Sequence, residues 1–175
     1  MNRSEMDRTL QCVAAGDNAA FEQLYVHTKR GVYAFLFTYF HNVADTEDAM
    51  QTVYLKIKTG IAGYRFGTNG SAWILQIAKN HALNELKKKR RMLEMETELS
   101  ESLDGAVEPT WEAGGVMERM QRLLSEEEQR IVTLHVLWGY KHREIAQTLG
   151  CPTGTVTSKY KRAIEKMRKE LKEEV

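Results

Sequence analysis

Two groups of side chains in this sequence have the types and spacing for chemistry with a polyanion. The first is a run of five cations, Lys87, Lys88, Lys89, Arg90 and Arg91, with Tyr64, Phe66 and Trp73 upstream of it. Cations neutralise phosphates and aromatic faces stack on unpaired bases, so this combination suits single-stranded nucleic acid. The second lies in residues 153–172, where seven Lys and Arg stand against two Glu, a local charge of +5. Thr155, Thr157, Ser158, Lys159 and Arg162 fall in its N-terminal half, where the side chains that read a duplex groove sit. Taken singly, each group has an ordinary explanation: Trp73 as core, and a Lys/Arg run as favourable charge at a helix C-terminus. Two basic blocks in one chain weigh against that explanation.

Other chemistries lack their residues. His27, His41, His81, His135 and His142 stand at no metal-ligand spacing, and Cys151 has no second Cys to complete a zinc deaminase pattern. The sequence holds no phosphate-binding Gly-Lys motif, nucleophile elbow or HExxH. The expectation is a binding protein rather than an enzyme, with no catalytic residue, cofactor or metal.

The elements that must position these groups read as helices. With 2 Pro, 42% hydrophobic residues and few alternating β-branched runs, the chain is expected to be all-α. After the Gly16-Asp17-Asn18 breaker, Phe21, Leu24, Tyr25, Thr28, Val32, Phe35, Leu36 and Tyr39 recur at the spacing of one helix face, with Asp17 or Asn18 as N-cap. A second helix is expected to start at Asp45, capped by its own carboxylate, with Glu47 and Asp48 at the positive end of the dipole. It runs through Ala49, Val53 and Ile57 and fades at Thr59-Gly60. Three glycines and Asn69 make residues 63–70 a loop. A third helix then spans about 71–91, its first half packing through Trp73, Ile74, Ile77 and Ala78 so that its cationic end is held out.

The second block opens with a helix through Val116, Met120, Leu123 and Leu124. Ser125 followed three residues later by Glu128 is a capping box, and the helix it starts carries Ile131, Leu134, His135 and Trp138 as far as Gly139. A short helix holds Ile145, Ala146 and Leu149, Gly150-Cys151-Pro152 turns the chain, and Thr153 is expected to cap a last helix with Val156, Tyr160, Ile164, Met167 and Leu171 on one face. These are the parts of a helix-turn-helix, whose second helix enters the major groove.

Charge divides the 175 residues in the same places. Residues 1–92 carry 13 basic and 8 acidic side chains, residues 93–116 none and 7, and residues 117–175 carry 12 and 9. The net values are +5, −7 and +3. We therefore expect two small helical domains, 1–92 and 117–175, joined by a flexible, self-repelling acidic linker at 93–116. The most apolar stretch, residues 31–40, is far short of the ~20 residues that a membrane-spanning helix needs. The first ten residues include Arg3, Glu5, Asp7 and Arg8, which leaves no apolar signal core. Cys12 and Cys151 are too isolated for a disulfide framework, so both are expected to stay reduced, in a protein that remains in the cytoplasm.

The segments Ala20-Phe21-Glu22-Gln23-Leu24-Tyr25, Asp45-Thr46-Glu47-Asp48-Ala49-Met50-Gln51-Thr52-Val53-Tyr54 and Ala72-Trp73-Ile74-Leu75-Gln76-Ile77-Ala78-Lys79-Asn80 resemble region 2 of bacterial extracytoplasmic-function (ECF) sigma factors, a group of the sigma-70 family. The run from Leu124-Ser125-Glu126-Glu127-Glu128-Gln129-Arg130 through Glu144-Ile145-Ala146 to Gly154-Thr155-Val156 resembles their region 4. Both matches occur in the family's order, over roughly 17–91 and 117–171. Residues 92–116 leave no room for the extra promoter-binding domain of housekeeping sigma factors.

The resemblance implies a transcription initiation factor that binds core RNA polymerase and directs it to promoters. Region 2 would bind the clamp helices of β′ through Asp45, Asp48, Gln51, Val53, Tyr54 and Leu55. It would hold the melted non-template strand of the minus-ten element through Tyr64, Phe66, Ser71, Trp73, Gln76, Lys79, Asn80, Asn84, Lys87, Lys88, Arg90 and Arg91. Asn80 is the leading candidate for contact with that strand. Region 4 would contact the β flap and read the duplex minus-thirty-five element through His142, Arg143, Thr153, Thr155, Thr157, Ser158, Lys159, Lys161 and Arg162. Lys159 stands where the family often has Arg, and as a point charge it suits a phosphate contact better than guanine readout. An anti-sigma factor is the regulator that the resemblance implies, and the acidic linker would thread through the polymerase towards the RNA exit path. The alternative is a stand-alone helix-turn-helix regulator of the LuxR type, which leaves the first block unexplained.

Overall fold

The computed structural model describes residues 1–96 and 114–173. Among them are eight α-helices: α1 (Arg3–Ala14), α2 (Asn18–Phe40), α3 (Val43–Gly60), α4 (Gly70–Glu96), α5 (Gly114–Leu123), α6 (Glu126–Val136), α7 (His142–Leu149) and α8 (Thr153–Glu173). A single 3-10 turn, Ile61–Gly63, follows α3. No strand occurs among the described residues. The chain divides into two compact units, Met1–Glu108 and Pro109–Val175. Most of the expected acidic linker, residues 97–113, lies outside the described residues; helix covers its two ends, with α4 running on to Glu96 and α5 beginning at Gly114.

In the N-terminal unit α1, α3 and α4 pack around α2. Every residue from 31 to 39 is buried, whichever side of α2 it occupies. The most apolar stretch of the sequence is therefore the central rod of a small helical domain. Phe35, Leu36, Leu24 and Val32 of α2 meet Val53 and Ile57 of α3, Ile74 and Leu75 of α4 and Leu10 of α1 in the set of fully buried side chains. No helix among the described residues is long and apolar enough to cross a membrane.

Helix starts follow local chemistry. Asp17 caps α2 as expected, its Oδ1 accepting from the N–H groups of Ala19 and Ala20 at 2.9 and 3.1 Å. The α3 cap differs from the expectation: the helix begins at Val43 and Asn42 caps it, accepting from Asp45 N–H at 2.8 Å. Asp45 sits one turn inside, so its carboxylate is released for side-chain partners. Helix α1, which hydrophobic spacing did not single out, opens with a capping box between Asn2 and Glu5.

In the C-terminal unit α5, α6 and α7 pack on one side of α8. Met120, Leu124, Val132 and Ala163 form a buried cluster flanked by Leu123, Tyr160 and Met167. Ser125 and Glu128 make the expected reciprocal capping box at the start of α6. Gly150 ends α7 in the left-handed region, φ 72°, with its N–H on Ala146 O at 2.9 Å. At α8 the expectation shifts by one residue. Pro152 O already accepts from Thr155 and Val156 N–H, so Thr153 lies in the first turn and does not cap it.

Candidate nucleic-acid interface

The N-terminal surface is built on α4, whose buried stripe is Ile74, Leu75, Ala78, His81 and Ala82. That stripe fixes which residues stay outside. Trp73, Gln76, Asn80, Asn84, Lys87 and Arg91 recur at intervals of three or four, a single line along the helix. Gln76, Asn80, Asn84, Lys87 and Arg91 are exposed and Trp73 is half-buried. At 1.5 Å per residue the line is about 27 Å long. Gln76 Nε2 donates to Asn80 Oδ1 at 2.7 Å, pre-orienting two amides on this line. Phe66, 42% exposed, extends the surface beyond the N-terminus of α4; its ring meets Tyr64 edge-on at 5.3 Å, and Trp73 lies 5.1 Å from Tyr64. Ser71 and Lys79 are half-buried, and Lys88 and Arg90 are exposed, with Arg90 Nε donating to Glu94 at 2.9 Å.

Tyr64 itself departs from the sequence expectation. It is buried, and its hydroxyl donates to Asp7 Oδ1 at 2.8 Å, so its ring packs against Phe66 and Trp73 instead of lying open at the surface. Burial and the Asp7 carboxylate push its pKa up. Asp7 also accepts from Gly67 N–H at 2.8 Å, and Arg3 Nε donates to Thr68 O at 3.3 Å, so α1 ties down the aromatic loop. Gly67 takes the positive φ, 80°, that this turn requires. Asp7 was invisible to sequence reasoning because its partners lie 57 and 60 residues away.

On α3 the residues expected to meet polymerase divide in two. Asp48, Gln51 and Leu55 are exposed, Leu55 at 61%. Val53 and Tyr54 are buried: Val53 is fully enclosed, and the Tyr54 hydroxyl shares a 2.7 Å hydrogen bond with Thr28 while its ring packs on Phe21 and Tyr25. Those two side chains hold the helix in place by packing inward. Asp45 is half-buried and pairs with Lys89, the middle cation of the α4 run, and with Asn42 Nδ2 at 2.6 Å. These bonds hold its carboxyl below the usual range despite some burial. His81, in contrast, is pushed down by burial and by the nearby Lys56 ammonium, against the opposing charge of Glu85.

The C-terminal surface is the exposed side of α8 with the start of α7. Arg143, Thr153, Thr157, Ser158, Lys161 and Arg162 are exposed and His142, Thr155 and Lys159 half-buried. Two hydroxyls fold back on the helix: Thr157 Oγ1 donates to Thr153 O at 3.1 Å and Ser158 Oγ to Gly154 O at 2.9 Å. Their protons are thereby used, and what they present outward is acceptor oxygen and, for Thr157, a methyl group. Lys159 is bound to Glu127 of α6 and must exchange that partner to reach a phosphate. Arg162, whose Nε lies 3.4 Å from Ser158 O, is the better-exposed cation of the pair. Tyr160 packs between His135, at 4.6 Å, and His142, at 5.1 Å, tying α8 to α6 and α7.

A helical domain with a half-buried tryptophan, an amide line and cations, next in sequence to a helix-turn-helix domain with a basic second helix, defines a DNA-binding protein of two separate modules. The sequence matches the family described as "Sigma-70 region 2" over residues 24–92 and that described as "Sigma-70, region 4" over residues 116–167. The chain belongs to the sigma-70 family of RNA polymerase sigma factors, as a member of its ECF group. It is similar to the ECF RNA polymerase sigma-E factor of Escherichia coli K12, 28% identical with 87% of each chain covered. It is also similar to the ECF RNA polymerase sigma factor SigK of Mycobacterium bovis, 22% identical over 94% of this chain and 92% of the other. Among solved structures, the sigma factor RpoE of Bartonella quintana in complex with the anti-sigma factor NepR shares the fold: TM-score 0.67, 21% identity, 87% of this chain and 96% of that one. So does CnrH in complex with the cytosolic domain of CnrY, with TM-score 0.66, 17% identity and 98% and 99% covered. Sigma factors are transcription initiation factors rather than enzymes; this chain binds RNA polymerase and promoter DNA.

Proposed function

We propose that α4 and residues 64–71 hold the melted non-template strand of the minus-ten element, while α8 reads the minus-thirty-five element in the major groove. The observation that carries this division is the line Trp73–Gln76–Asn80–Asn84–Lys87–Arg91. Aromatic, amide and cation follow one another along one helix, as a single strand with stacked bases and regular phosphates requires. Asn80, oriented by Gln76, is the leading candidate for a base contact. The exposed α3 residues Asp48, Gln51 and Leu55 seat on the clamp helices of β′, and the C-terminal domain rests on the β flap.

Assembly supplies what each domain lacks. Unstacking costs a few kcal/mol per flipped base. Clamping both domains onto one polymerase raises the effective concentration of each at the promoter. No bond is made or broken by this chain, which works in the cytoplasm where polymerase and DNA are. One similar fold, the Bartonella quintana sigma factor RpoE, is seen in complex with an anti-sigma factor. An anti-sigma factor for this chain would cover the exposed α3 face and so compete with β′.

The two faces are separable by substitution. Arg162→Ala is expected to weaken promoter binding across sequences and reduce its salt slope by about 1, with core-polymerase association unchanged. Gln51→Ala is expected to weaken association with core polymerase and leave duplex binding by the C-terminal face intact. Loss of polymerase association on Arg162→Ala would overturn the assignment of faces.

A further inference from the structure

We infer that Thr157 recognises the 5-methyl group of a thymine in the duplex element, and that His142 is the positioning residue that fixes its side chain for this. The inference rests on the reading of α8 as the groove-entering helix and names the feature of the base that α8 selects.

The proton count around Thr157 is closed. A threonine hydroxyl has one proton, and Thr157 gives it to Thr153 O at 3.1 Å, because a carbonyl can only accept. The second bond of the same oxygen, to His142 Nδ1 at 3.1 Å, must therefore run from the imidazole N–H to the hydroxyl. In a helix threonine divides between two χ1 rotamers according to whether its oxygen meets the preceding turn. His142 adds a second bond to one of them and so removes the choice. With its proton spent and one lone pair engaged, Thr157 has no donor left for a base, and its methyl group and one remaining lone pair are what it offers.

His142 is itself held. Its ring packs against Tyr160 of α8 at 5.1 Å and His135 of α6 at 5.3 Å, and His135 Nδ1 donates to Tyr140 O at 2.8 Å, which fixes that ring in turn. Three helices thus set one methyl group on the second turn of α8. In the major groove only thymine presents a methyl, so a methyl on the reading helix prefers thymine to the other bases and to uracil. Ser158, folded back in the same way, has no methyl and cannot do this.

The experiment uses holoenzyme, core polymerase with the full chain, on a promoter recovered from a randomised library. Each thymine of the upstream element is replaced singly by deoxyuridine, and binding is compared within each protein variant. One position is expected to weaken binding roughly fourfold on loss of its methyl, the scale of one buried methylene. Thr157→Val, which keeps a methyl but no hydroxyl, should retain that penalty, and Thr157→Ser, which does the reverse, should abolish it. His142→Ala should shrink the penalty and His142→Asn, which restores an N–H donor, should recover it. A Thr157→Ser protein that still distinguishes thymine from uracil, or an element in which no thymine responds, would overturn the inference while leaving α8 as the duplex reader. A promoter that proves indifferent to its upstream element would instead remove the reading of α8 on which the inference rests.

Discussion

Glu128 shows how much a single carboxylate carries in the C-terminal domain. It accepts from Ser125 N–H at 3.0 Å to close the α6 cap and from Lys166 Nζ of α8 at 2.7 Å to join the two helices. Burial raises its pKa, but the Lys166 and Ser125 bonds outweigh it and hold the carboxyl below the usual glutamate range. A carboxyl depressed on folding stabilises the domain fully above its unfolded pKa and loses that contribution as pH falls through the folded value. Glu128→Ala is therefore expected to cost about 1–3 kcal/mol at neutral pH, from the lost cap and the lost pair. The difference from wild type should narrow as pH falls below the ordinary glutamate range, as thermal melts at several pH values would show. The capping half of this arrangement was legible, because Ser125 and Glu128 stand at the spacing of a capping box. The pairing with Lys166 was not, since nothing local links residues 38 apart. The same limit explains Val53, Tyr54 and Tyr64. A family motif marks a stretch of chain, whereas only packing decides which of its side chains face inward.

At the scale of elements, α4 works because α1 supports its start. Gly70 opens α4 against α1 so closely that a Cβ would lie 2.6 Å from Leu10 Cδ1 and 2.8 Å from Met6 Cγ. Replacing glycine near a helix start by alanine ordinarily gains some stability through the unfolded chain. Here Leu10 is fully buried and has no open space to move into, so overpacking wins. Gly70→Ala is expected to destabilise the N-terminal domain by about 1–3 kcal/mol, readable as a lower chemical-denaturation midpoint. An unchanged or raised midpoint would show that α1 moves freely. The helices α2, α3, α6, α7 and α8 could be read from apolar spacing, caps and glycine stops. Helix α1 could not, since its Met6, Leu10 and Val13 give only a short apolar stripe among polar residues. Its role as the anchor of residues 64–68 depends on Asp7 and Arg3 reaching across the fold.

For the whole molecule, the proposed function requires that two DNA-binding modules act as one only when polymerase holds both. The charge split of the sequence into basic, acidic and basic parts fits that division. The most direct test is run-off transcription from a randomised promoter library with purified bacterial core polymerase, with and without this protein. The account predicts transcripts that appear only when the protein is present, from templates sharing two short elements at one fixed separation. Transcription that ignores the protein, together with tight binding of the protein alone to a palindrome, would contradict it.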